Sequence, residues 1–266
     1  MTAQFRNPPL LELIAELRWD FFPDQQATTS SDGVFRIQIA PGVDDSSFDS
    51  FREALQRNLA FTYTERLIPF GQPPAPGQPV LRMTRAARDM VVQVGVGVLF
   101  IHALPPYSSW ESFSPEVGKV IEILLAQMGP THGFSAASLR YLDAFGDRFL
   151  DGAAPAEFAS EVLGYRIDFP EAVQSERNKE VPAHIAVNYG FVTTEGLQAQ
   201  ISLSEGVVNN QPSLITDTVV SAVSTVEGSA EAVMQHFEDA HSVIHNIFIG
   251  STKSITQMMG PVGVDE

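Results

Sequence analysis

The sequence predicts an α+β fold with a mainly antiparallel sheet, because strand patterns follow one another without the regular helical crossovers that a parallel sheet requires. A second observation refines this. The chain reads as two similar halves, 1–150 and 151–266, each a small sheet with a long amphipathic helix, expected to form one compact unit. An ancient duplication and a single curved sheet gripping a long C-terminal helical region would both give that outline. The length of 266 residues suits one large domain or two small ones.

The first element is RNPPLLELIAELRWDFF, residues 6–22, which fits either a helix capped by Asn7 or a strand. At period two, Leu11, Leu13, Ala15, Leu17, Trp19 and Phe21 share one face, and Leu10, Glu12, Ile14, Glu16, Arg18 and Asp20 the other. At helical period the apolar stripe breaks where Trp19 falls between Glu12 and Glu16. A strand is predicted, with Leu11, Leu13, Leu17 and Trp19 buried.

A short strand, FRIQI at 35–39, follows a turn-rich segment and leads to a helix within 46–60, whose Phe48, Phe51, Leu55 and Leu59 share one side. The proline-rich stretch 68–79 reads as a stiff loop. PVLRMTRA and DMVVQVGVGVLFIHAL read as a hairpin turning near Ala87, Arg88 and Asp89, with GVGV continuing the second strand and its glycines leaving room for a close approach. No dinucleotide-binding loop is expected there, since no GxGxxG turn into a helix follows.

The next helix is predicted to start with Ser114 as cap and Pro115 in the first position, and to stop at Gly129. ASLRYLDAF reads as a strand, APAEFASEVLG as a shorter helix, and three strands follow around HIAVNYGFV, LQAQISLSEG and SLITDTVVSAV. A final helical region runs from Ser229 to about Met259, with Gly250 as a point of division.

Composition sets limits on function. Sixteen basic against 32 acidic residues give a net charge of −16, which repels phosphate backbones and anionic membranes, so neither nucleic acid nor membrane is an expected partner. A basic protein partner is favoured instead, and a homodimer is compatible with the sequence. Arg82, Arg85 and Arg88 are read as a solvated edge. The chain has no cysteine, which removes thiolate metal sites and thiol nucleophiles, and neither a signal peptide nor a membrane span is recognisable, so a cytoplasmic location is expected.

Asn7, Pro8, Pro9, Glu12, Glu16, Arg18 and Trp19 carry a resemblance to a sporadically distributed, uncharacterised prokaryotic family of about this length. Arg140, Tyr141 and Asp143 in LRYLDAF, and His241, Phe248 and Thr256 in the last helical region, extend it. The resemblance implies no activity. The patchy distribution of that family looks like that of mobile or defence-associated genes.

Candidate site residues follow from burial and charge. Glu12, Glu16 and Arg18 share a strand face, and Arg140 is expected to meet a carboxylate there. Asp217 interrupts an apolar strand and needs a partner such as Arg140 or Arg18. His241 and His245 have the i, i+4 spacing of a metal pair, but HExxH is absent and a structural, hydrogen-bonded His241 is expected; no metal or cofactor is predicted. No GxSxG elbow, P-loop or calcium loop occurs, so no catalytic residue is assigned.

Two functions remain open at this level. One is a non-enzymatic accessory protein acting through a macromolecular partner. The alternative is a small-molecule binder or hydrolase, with a pocket between the sheet and the C-terminal helix lined by Glu12, Arg18, Arg140, Asp143 and His241.

Overall fold

The computed structural model describes residues 4–20, 45–69, 71–72, 74–107, 109–128, 133–166, 170–176, 178, 184 and 186–262. The fold is α+β, and the described residues form a nine-stranded sheet in which every neighbouring pair is antiparallel. The strand expected at 35–39 lies outside the described residues.

The opening stretch is a strand. β1 (Leu10–Arg18) begins directly after Pro9, whose carbonyl accepts the Ala144 N–H at 2.8 Å. Leu13, Ala15, Leu17 and Trp19 are buried. Leu11 is only half-buried, because the register against the neighbouring strand shifts between Leu10 and Glu12. Such a bulge inserts one residue and reverses the alternation. Leu10 therefore shares a face with Leu13 instead of Glu12.

β1 pairs on one side with β5 (Val98–Ala103) and on the other with β6 (Ala136–Phe145). Beyond β5 come β4 (Met90–Gly95), β3 (Pro79–Arg85) and the edge strand β2 (Phe61–Arg66). Beyond β6 come β9 (Gln211–Ser221), β8 (Gln198–Val208) and the other edge, β7 (Ala186–Val192). In each half a meander returns its last strand to the first: β5 to β1, and β9 to β6. A long helix follows each return, α2 (Trp110–Met128) after β5 and α6 (Ala230–Ser251) after β9.

Three departures from expectation have local causes. Residues 89–104 form two strands, because Gly97 takes φ +69° between the paired Gly95 and Val98 and turns the chain back. β2 has a single buried residue, Phe61, so its sequence shows no apolar face to read. The helix α2 starts at Trp110 and carries Pro115 inside it. Pro115 lacks the N–H that would meet a carbonyl one turn back, and burial of Trp110 and Phe113 in the core offsets that loss.

The expected close approach at the glycines is present at Gly95, where a Cβ would stand 1.9 Å from the Gln78 carbonyl oxygen. Gly95→Ala should cost about 3 kcal/mol, since backbone and not a side-chain tip would have to move. A urea midpoint unchanged from the parent would contradict this.

The helices lie on the Leu13 face. α1 (Asp45–Leu59), α2 and α6 contribute Phe51, Leu55, Val117, Ile121, Val233, Phe237 and Ala240 to one core with β1, β3, β4 and β5. A second apolar cluster gathers Phe145, Phe149, Phe158, Leu163, Leu203 and Met259 around α3 (Asp147–Leu150) and α4 (Pro155–Glu161). Ser229 caps α6 by accepting the Ala232 N–H, and the division of the last helical region falls at Thr252, whose hydroxyl turns back to the Phe248 carbonyl at 2.7 Å. Among the described residues no helix is long and apolar enough to cross a membrane.

Candidate functional site

The two apolar clusters meet at the C-terminal half of β6, and a cleft opens there between the sheet, α6 and the start of α2. Alternation on β6 places Leu139, Tyr141, Asp143 and Phe145 on the helix side. Thr218 and Thr216 of β9 stand directly opposite Tyr141 and Asp143, and the bulge in β1 brings Leu10 to the same wall. The chain's opening segment closes one rim: Arg6 and Asn7 N–H groups bond to the carbonyls of Gly260 and Met259, which holds Phe5 and Pro8 over the cleft.

Asp143 is the least expected group in that wall. It is 95% buried, since only 5% of its surface is exposed, and among the described residues nothing donates a hydrogen bond to its carboxyl. Burial alone lifts its pKa from 3.8 to about 7. A carboxyl so placed is close to half ionised at neutral pH.

His241 is held from three sides. Its Nδ1 lies 2.8 Å from the Tyr141 hydroxyl, the Trp110 ring stacks on it at 5.1 Å and 17°, and the His245 ring is centred 5.7 Å away. Trp110 is itself fixed by donating its indole N–H to Glu238 at 2.7 Å. Desolvation, with help from the neighbouring His245, lowers the His241 pKa to about 4, and desolvation lowers that of His245 as well. Both rings are neutral at pH 7.

Burial also raises Tyr141, so its phenol keeps its proton. When that proton is donated to Nδ1, the ring proton of His241 sits on Nε2, which is buried without a hydrogen-bond partner. The Tyr107 hydroxyl is likewise buried, with the Tyr141 hydroxyl as its one neighbour within hydrogen-bonding reach among the described residues, and desolvation raises its pKa too. Unsatisfied buried donors and acceptors cost about 1–3 kcal/mol each. Among the described residues two polar groups on one cleft, the Asp143 carboxyl and His241 Nε2, thus lack partners.

Of the five residues named as a pocket from sequence, the cleft brings together Asp143 and His241. Glu12, Arg18 and Arg140 lie on the opposite face of the sheet, because they occupy alternate positions on β1 and β6. There Glu12 meets His102 Nδ1 at 2.8 Å, and Arg18 pairs with Glu16. Arg140 donates two bonds to Asp217, at 2.7 and 2.6 Å, and is thus one of the two partners expected for that aspartate, while the expected bond to a carboxylate of the opening strand is not made; Glu12 and Glu16 contribute only their field. The planar guanidinium matches Asp217 bidentately across the β6–β9 pair, whereas Glu16 is already engaged by Arg18.

Arg140 is 43% exposed, so the pair is worth little more than about 1 kcal/mol. A double-mutant cycle of Arg140→Ala with Asp217→Ala should give a coupling of that size, and the cycle with Glu16→Ala a smaller one. Denaturant melts returning the larger coupling for Glu16 would reverse the assignment.

The sequence reading missed Tyr107, Trp110, Glu111, Thr216, Thr218 and Tyr165, all of which line the cleft. A usable signal existed in LITDTVV, where Thr216 and Thr218 put polar atoms on one strand face while Asp217 drew attention to the other. Among the described residues no three His, Asp or Glu side chains converge as a metal site requires. No family model matches the chain, and no curated protein matches it.

Proposed function

We propose that the cleft between β6, β9 and α6 binds a small organic molecule, and that the chain acts through this binding. The observation that carries the reading is the convergence on one cleft of buried polar groups that have no partner among the described residues, Asp143 and His241 Nε2, against a wall of Phe5, Phe145 and Phe248. An apolar wall with a few convergent polar groups is the common form of a small-molecule site. Such groups are costly in the free fold and become favourable when a ligand supplies the missing bonds.

The accessory role through a basic macromolecular partner has a narrower basis, the net charge of −16 and the charged row on the open sheet face. It needs no cleft. The two readings part on a thermal-shift screen of small molecules against the full chain. A ligand at a hundred times its Kd stabilises by about 2.7 kcal/mol, a rise in Tm of about 5–10 °C for a chain of this size. Ser251→Trp, which places an indole at the cleft wall, should abolish that rise. Shifts that persist in Ser251→Trp, or a screen without any shift, would set the small-molecule reading aside.

A further inference from the structure

Resting on that reading, we propose that the ligand is an organic ammonium or related nitrogen cation with an apolar tail, its charged head seated at Asp143. Among the described residues the lining carries two carboxyl groups, Asp143 and Glu111, two imidazoles, and no Lys or Arg. An anionic ligand would find no fixed cation and would face two acids. A neutral one could donate a hydrogen bond to the Asp143 carboxyl, 95% buried, but would leave its charge without a counter-ion.

An ammonium supplies what is missing. It carries three N–H donors, and acceptors stand around Asp143 in the right number: its own carboxylate, the Thr216 hydroxyl opposite it on β9, and the Thr218 hydroxyl one pair further along. Charge-assisted bonds are about twice as strong as neutral ones. The side walls add to this, since Phe145 follows Asp143 on the same face of β6, and Tyr165 and Phe248 complete an aromatic enclosure of the kind that attracts organic cations. The head therefore lies on the sheet and the tail runs toward Phe5 and Phe248 at the rim.

The proposal is tested with three probes of one shape, 2-phenylethylammonium, 2-phenylethanol and 3-phenylpropanoate, titrated into the full chain at pH 8. Trp110, in the cleft wall, gives a fluorescence readout. The ammonium should bind at least tenfold more tightly than the alcohol, and the acid more weakly than either. Asp143→Asn removes the charge at constant shape; it should reduce ammonium affinity at least tenfold, to near the level of the alcohol, and change alcohol affinity by a much smaller factor. Ser251→Trp should weaken both. Equal affinities for ammonium and alcohol, or ammonium binding unaffected by Asp143→Asn, would overturn the cation and leave the small-molecule cleft standing. Absence of binding by all three probes would overturn both.

Discussion

Leu13→Asp is expected to unfold the chain. Leu13 has no exposed surface and sits on β1, the strand joining the two halves of the sheet, opposite Ala103 on one side and Tyr141 on the other. Removing the leucine side chain alone costs about 2–5 kcal/mol through lost transfer energy and the cavity left behind. The carboxyl adds the penalty of an unpaired buried charge, or of the proton needed to neutralise it. Together these approach the whole stability of an ordinary domain, about 5–15 kcal/mol. Leu11→Asp is the control. Leu11 is two residues away but half-buried at the bulge, and its substitution should cost no more than about 2 kcal/mol. Circular dichroism in urea distinguishes the two, and equal losses would mean that the bulge does not set the phase of β1.

That bulge illustrates what alternation can and cannot deliver. The period-two pattern of residues 11–19 was sufficient to choose strand over helix, because Leu13, Ala15, Leu17 and Trp19 are all buried. It also separates Arg140 from Asp143 by parity, so one cleft could not have held both. A one-residue insertion at Leu11 is invisible in the sequence, and it moves Leu10 to the cleft side. The start of α2 was misread for a different reason. Ser114 and Pro115 are good local signals, but tertiary burial of Trp110 outweighs them and carries Trp110 and Glu111 into the cleft. The sequence offers both Arg140 and Arg18 as partners of Asp217, and the choice between them depends on sheet order, which local patterns do not encode.

Asp143→Asn should change the pH dependence of stability by about 4 kcal/mol between pH 4 and pH 7. The native carboxyl titrates at about 7 because burial disfavours its charge, and in the unfolded chain at its ordinary 3.8. Well below 3.8 both states hold the proton, and the group contributes no pH dependence. Between those values the native state holds a proton that the unfolded chain has released, so stability falls as pH rises; above 7 the loss is complete. The gap of about three pKa steps, at 1.36 kcal/mol each, sets the size. His241 works in the opposite sense. Its native pKa of about 4 lies below the ordinary 6.5, so its neutral ring is destabilised by acid and its contribution rises with pH between those values. The two slopes offset each other in the parent chain, which should look flatter between pH 4 and 6.5 than either group alone would make it. Asn cannot ionise, so the variant keeps the rising slopes of the desolvated imidazoles, His236, His241 and His245. The stability difference, variant minus parent, should therefore grow from pH 4 and level off above 7, as read from urea melts across that range. A difference independent of pH would mean that Asp143 is solvated in the free protein, and the cleft would lose the buried charge on which its selectivity for a cation depends.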